Sequence, residues 1–166
     1  SNIQFNLMGG AFESGTGDYV TLFEPTASAF AAQGKGHIVT NMGLESGEVP
    51  YTTFMMRKDT IENEPGFAAA FVRAIYRAQK WVWAAGDEEV AYAMQSYFPD
   101  TDIATLSAVA KSYRATDSWT KVPTMTEDAF TRLQDILDGA GELAARIELS
   151  ELVDNSFGEA AISEIG

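Results

Sequence analysis

No cysteine occurs in this sequence, which excludes disulfides, thiolate nucleophiles and thiolate metal sites. A single histidine, His37, excludes a multi-histidine metal cluster. Positive charge is scarce: 11 Lys and Arg stand against 24 Asp and Glu, a net charge of −13. Such a chain is poorly suited to nucleic acid, whose phosphates need basic side chains, or to an anionic membrane surface. Long apolar runs are missing too. The longest apolar-looking stretch, residues 67–85, contains Arg73, Arg77 and Lys80, so it reads as an amphipathic helix and not a membrane span. There is no internal repeat, low-complexity tract, long linker or visible signal peptide. The opening Ser1-Asn2 is readable as a non-native lead, so the missing leader says little about native location.

What is present is globular: 46% hydrophobic and 21% charged residues over 166 positions, enough for one domain with a sizeable core. Residues 49–56 are the most strand-like run. Val49, Tyr51, Thr52, Thr53 and Phe54 gather there and end in Arg57-Lys58-Asp59. Before it, Ile3–Met8, Asp18–Phe23 and His37–Thr40 read as strands. Gly9-Gly10 should break the first. A short turn over 11–15 and a small-residue helix over 27–33 separate them. Asn41–Gly47 reads as a loop. Strand, short helix, strand with Gly at the joints is the pattern of an α/β lobe.

Beyond Asp59 the period becomes helical. A long helix follows Pro65, with Phe67, Phe71, Ile75, Ala78, Trp81 and Val82 on its expected core face. Gly86-Asp87 starts a second, with Glu88 and Glu89 favouring its N-terminus and a stripe of Val90, Ala93, Met94, Tyr97 and Phe98. Thr101 or Asp102 caps a third bearing Ile103, Leu106, Val109, Ala110 and Tyr113. Thr126 caps a fourth with Phe130, Leu133, Ile136, Leu137 and Ala140 inward. Residues 157–165 form a last helix.

Two stretches can carry binding chemistry. At Phe23-Glu24-Pro25-Thr26 a strand runs into a helix, the place where ligands gather in open α/β sheets. Glu24 can hold an amine or cationic ring. Phe23 and Tyr19 can wall it, and backbone N–H groups at Thr26 and Ala27 can hold an anionic group. The plain alternative is that Glu24 complements the helix dipole and Phe23 is core. Ser46-Gly47 precedes the second stretch, where Tyr51 and Thr52 can donate and accept hydrogen bonds; ordinary strand propensity explains them equally well. His37 has no partners for a catalytic triad. Arg57-Lys58-Asp59 reads as a solvated end with a local ion pair. Met55-Met56 reads as core, and Trp83 as a surface that a partner buries. Neither a cofactor nor a metal site is expected.

Several segments taken together resemble a known group. In order they are GDYVTLFEPTASAF, GEVPYTTFMMRKDTIENEP, FAAAFVRAIYRAQKWV, SYFPD, FTRLQDILDGAGEL and ELVDNSF. They are similar to the periplasmic solute-binding proteins of ABC transporters of the sulfonate, nitrate and thiamine-pyrimidine type, over residues 10–162. The closing LVDNSF is the most specific part. The resemblance implies an α/β fold, the carboxyl-terminal part of a two-lobed periplasmic-binding-protein-like (type II) architecture, helix-rich after residue 60. It implies three parts: 1–49 from the later second lobe, 50–57 as a hinge-crossing strand, and 58–166 as helices of the first lobe. The family's amino-terminal half is then missing from this chain.

By the same resemblance the function is capture of a small, nitrogen-containing organic solute, a thiamine-pyrimidine precursor or a sulfonate, outside the cytoplasm. Delivery is to an ABC permease, without chemistry. Phe23, Glu24, Thr26, Tyr51 and Thr52 are the ligand contacts it implies. The apolar helix faces imply a homo-oligomer or a covering amino-terminal half. A truncated interaction module is the competing reading. A pyrimidine-precursor synthase-like enzyme is disfavoured, because that chemistry needs His and usually Cys.

Overall fold

The computed structural model describes residues 3–166, and Ser1-Asn2 lie outside the described residues. The described residues form ten α-helices: α1 Met8–Glu13, α2 Thr26–Ala32, α3 Met42–Ser46, α4 Lys58–Asn63, α5 Pro65–Ala84, α6 Asp87–Met94, α7 Ile103–Ala115, α8 Glu127–Gly139, α9 Leu149–Leu152 and α10 Ser156–Ile165. Short 3-10 turns at Phe5–Leu7 and Gln95–Tyr97 precede α1 and follow α6.

The helix starts follow from their caps. Asp102 accepts the Thr105 N–H at 2.8 Å and the Thr105 hydroxyl at 3.0 Å, opening α7. These bonds hold the Asp102 carboxyl below its ordinary range, the Thr105 N–H contributing most. Thr126 accepts the Ala129 N–H at 3.2 Å, opening α8. Glu148 and Glu151 make a reciprocal capping box on α9.

No strand occurs among the described residues, which corrects the expected strands at 3–8, 18–23, 37–40 and 49–56. Strand propensity marks a residue fit to lie in a sheet, but the ladder needs a neighbouring chain segment to bond. The three irregular stretches find no ladder here. Residues 5–8 instead wind into helix, and Gly9-Gly10 sit inside α1 instead of breaking a strand. Gly9 lies beside Phe30, whose ring would be 3.2 Å from an added Cβ. The expected loop over 41–47 contains α3, and the charged Lys58-Asp59 pair opens α4. The helix-rich character after residue 60 is as expected.

Contacts divide the chain into two units, one of Ser1–Asn41 with Ala85–Thr116, the other of Met42–Ala84 with Asp117–Gly166. In the first unit α6 packs on α7, and α2 also contacts α7. Val90, Ala91, Leu106, Val109 and Ala110 are all buried there. Ala91 and Ala110 carry no bulk beyond Cβ, so the two helices can approach closely. Burying Val90 and Leu106 contributes about 1.5–3 kcal/mol each, as an upper estimate. Arg114 joins the Asp87 carboxylate and donates to the Ala85 carbonyl at 2.6 Å, tying the end of α7 to the start of α6. The expected α6 stripe is corrected beyond Val90: Ala93 and Tyr97 are exposed, and Ala91 takes the buried position. The helix gives way to a 3-10 turn at Gln95, so the 3.6-residue period no longer places Tyr97 and Phe98.

In the second unit α5 packs on α10 and α4. Its buried residues are Ala68 and Tyr76, each one on from the expected Phe67 and Ile75; Val72, Gln79 and Trp83 are half-buried beside them, as are Phe71, Ile75 and Val82, while Phe67 is exposed. Trp81, expected in the core, is 40% exposed. One residue is 100° of helix rotation, and α5 is apolar around so much of its girth that pattern alone leaves the phase open. Trp83 donates its indole N–H to the Trp119 carbonyl at 3.2 Å, and Lys121 lies 4.4 Å over its ring. The chain's own 117–122 segment therefore accounts for Trp83. In α8, Phe130 is buried as expected, whereas Ile136 is 48% exposed. Gln134 takes the inward place, exchanging two hydrogen bonds with the Ile147 backbone at 2.9 and 3.2 Å. A glutamine there satisfies a loop backbone that an apolar residue would leave unpaired.

The segment 153–158 is a structural joint. Asn155 accepts the Met125 N–H at 3.0 Å and donates to the Met125 carbonyl at 2.8 Å. Asp154 accepts from the backbone and hydroxyl of Ser156. Gly158 is buried against the Pro123 carbonyl, which would lie 2.5 Å from an added Cβ.

Candidate functional site

In the first unit Phe23, Glu24 and Thr26 come together where an irregular segment enters α2. The Glu24 carboxylate is fixed from within its own turn. Its Oε2 accepts the Ser28 N–H at 2.9 Å, and its Oε1 accepts the Ser28 hydroxyl at 2.9 Å. Glu24 thus does the helix-start work that the plain alternative assigned to it. Each oxygen still has a second lone pair, so the group remains able to accept from a ligand amine. Phe23 is 46% exposed and packs on the Phe5 ring at 5.0 Å between centroids, tilted by 47°. A half-open ring and an anchored carboxylate thus stand on consecutive residues. Thr26, the first residue of α2, is exposed. Tyr19 is 81% exposed.

Of the two N–H groups expected to hold an anionic group, that of Ala27 is not free. The Ala27 N–H already donates to the Phe23 carbonyl at 3.1 Å. The turn into α2 is closed by its own backbone, and α2 is only seven residues long.

Tyr113 is a neighbour the sequence reading placed only in the α7 stripe. It is half-buried. Burial first, then the negative charge of Glu24, raises its phenol above the ordinary value. Spacing in the chain carries no signal of this proximity; the packing of α2 on α7 creates it.

Tyr51 and Thr52 belong to the second unit, on an irregular stretch between α3 and α4, and both are exposed, Tyr51 by 79%. Phe54 beside them packs edge-on against Phe71 of α5 at 5.1 Å. Met55 is 92% exposed, which corrects its reading as core: without a sheet on either side, a residue projecting from this stretch reaches solvent. Arg57 and Asp59 do form the expected local pair, with the Arg57 Nε–H donating at 2.9 Å. His37 is exposed, and no group of three or more His, Cys, Asp or Glu among the described residues could hold a metal ion. No helix among the described residues is long and apolar enough to cross a membrane.

Comparison with known proteins agrees with the resemblance carried by the segments. A protein of Bacillus subtilis (strain 168) named "Putative binding protein YtlA" is 40% identical over 163 residues, covering 98% of this chain and 49% of that protein. The chain therefore spans about half the length of this curated relative. No solved structure matches the chain significantly. Residues 3–96, more than half of the chain and including every candidate contact above, match the NMT1-like family. The chain belongs to the NMT1-like family, as its likeness to solute-binding proteins led one to expect.

Proposed function

We propose that this chain is a binding module for a small, nitrogen-containing organic solute, acting in an extracytoplasmic solute-binding protein that serves an ABC importer. Family membership and a relative named as a binding protein support binding as the class of function. The observation that carries the ligand chemistry is Glu24. Its carboxylate is held by Ser28 on both oxygens, and the preceding residue, Phe23, has a half-exposed ring. A fixed anion and a half-exposed aromatic ring on consecutive residues favour a protonated or amino-substituted ring over a sulfonate. Within the range of solutes the resemblance suggests, this argues for a pyrimidine-like compound. Thr26 lies within the same turn, and Tyr113 adds a phenol near Glu24. Tyr51 and Thr52 are a separate proposal on the second unit, with their own substitutions as test. Residues 50–57 as a hinge, the division at 49 and 57, and delivery to a permease belong to this proposal as well.

A thermal-shift screen of aminopyrimidines, alkyl sulfonates and nitrate tests it. Ligand at 100 times its dissociation constant should add about 2.7 kcal/mol of stability. An aminopyrimidine shift that Glu24→Gln removes supports the reading. A sulfonate shift untouched by Glu24→Gln refutes the assignment of Glu24.

One observation favours a second reading, an interaction module. Tyr51, Phe54 and Met55 are exposed by 79, 71 and 92% within five residues. Such a patch is normally covered by another chain or segment. A single-chain mass by light scattering at micromolar concentration would refute self-association.

A further inference from the structure

Asp128 and Arg132 are four apart on α8, a spacing at which opposite charges ordinarily pair. Here they do not. The Arg132 guanidinium is drawn over Gly47, whose positive φ of 76° leaves its Cα face open; an added Cβ would lie 2.7 Å from one terminal nitrogen and 3.2 Å from Nε. Arg132 Nε is buried with no hydrogen-bond partner, and no ion pair or hydrogen bond engages Arg132 elsewhere among the described residues. In a chain of net charge −13 an arginine without an acid is unusual, and a buried donor left unsatisfied is costly. Asp128 likewise has no partner among the described residues. Asp128, Thr131, Arg132 and Asp135 line one open hollow of about 350 Å3, at the small end of ligand-site volumes. Asp135 is already engaged by Arg146 at 2.7 Å. The hollow therefore offers one uncommitted cation, one uncommitted anion and a hydroxyl.

We propose that this hollow binds a small zwitterion of the amino-acid type, with its carboxylate on the exposed end of the Arg132 guanidinium and its ammonium on the Asp128 carboxylate. A simple anion would meet Asp128 as a like charge, and a simple cation would meet Arg132. A molecule carrying both charges can meet the two, which line the same hollow. The Thr131 hydroxyl can serve either end. The site uses none of the residues proposed for the solute, so the two proposals stand or fall separately.

The test is a titration of the uniformly 15N-labelled full chain, followed by NMR at the Arg132 Nε–H and the Gly47 amide. Glycine and L-alanine are the probes; acetate and methylammonium, each carrying one of the charges, are the comparisons. Saturable shifts with glycine or alanine at a Kd of about 1 mM or tighter, with no saturation by either comparison compound, are expected. Asp128→Asn and Arg132→Gln should each weaken binding about tenfold or more. Asp128 is exposed, so its variant keeps the fold and carries the test even where Arg132→Gln unfolds. Unmoved signals with both amino acids, acetate binding as tightly as glycine, or unchanged affinity in Asp128→Asn would each overturn the proposal.

Discussion

Replacing Gly158 by alanine puts the joint between α10 and the 123–125 segment to a direct test. Helix propensity alone predicts a gain of up to about 1 kcal/mol, because alanine is the better helix former. Packing predicts the reverse. The new Cβ would lie 2.5 Å from the Pro123 carbonyl oxygen and 2.8 Å from Thr124 Cγ2, far inside ordinary contact. The obstacle is backbone, so no rotamer change relieves it. The backbone cannot readily retreat either, since Met125, two residues on, is held at both its N–H and its carbonyl by Asn155. Overpacking of this kind costs about 1–3 kcal/mol, and the clash should outweigh the propensity gain, for a net loss of about 1–2 kcal/mol. Urea denaturation followed by tryptophan fluorescence measures it, as a lower midpoint at unchanged slope. Gly66→Ala is the control: Gly66 also lies in a helix, with nothing within 4 Å of an added Cβ. It should be neutral or slightly stabilising. A Gly158→Ala protein as stable as the parent would refute the packing of α10 described above.

Other expectations follow from single contacts. Asn155→Ala strips both partners from the part-buried Met125 backbone and should cost about 1–3 kcal/mol by the same urea assay. Tyr76→Ala should cost about 3–5 kcal/mol and Trp81→Ala clearly less; the opposite order would restore the face of α5 that the pattern suggested. The Tyr113 phenol is raised in the fold, so its contribution is present below its unfolded value near 10 and is lost as pH rises through the folded value. Tyr113→Phe should flatten the alkaline end of a stability profile recorded from pH 8 to 11, and an unchanged slope would argue against a phenol raised by burial. Glu24→Gln should abolish binding of an amine-bearing solute while leaving far-UV circular dichroism intact; retained affinity would return Glu24 to helix capping alone.

The sequence by itself determined the elements that depend on near neighbours. The cap at Thr126, a cap at Thr101 or Asp102, the last helix, read as 157–165 and found as Ser156–Ile165, and the buried Leu106, Val109, Ala110 and Phe130 all rest on spacings of three and four residues, which a helix brings together without outside help. Glu24, too, was legible as a charge beside a helix start, and Ser28 at the fourth residue on explains its anchoring.

Only the tertiary structure decided the rest. The strand-like stretches took no ladder, because a strand is defined by a second segment and these find none among the described residues. The phase of α5 was settled by α10 and the 117–122 segment, since a helix apolar on most sides can turn several faces inward. Gln134, buried for the sake of the Ile147 backbone, and Tyr113, brought near Glu24 by helix packing, depend on contacts that no period records. Arg132 left its local partner Asp128 for the open face of Gly47, a choice available only once α8 and the 47 turn had been brought together.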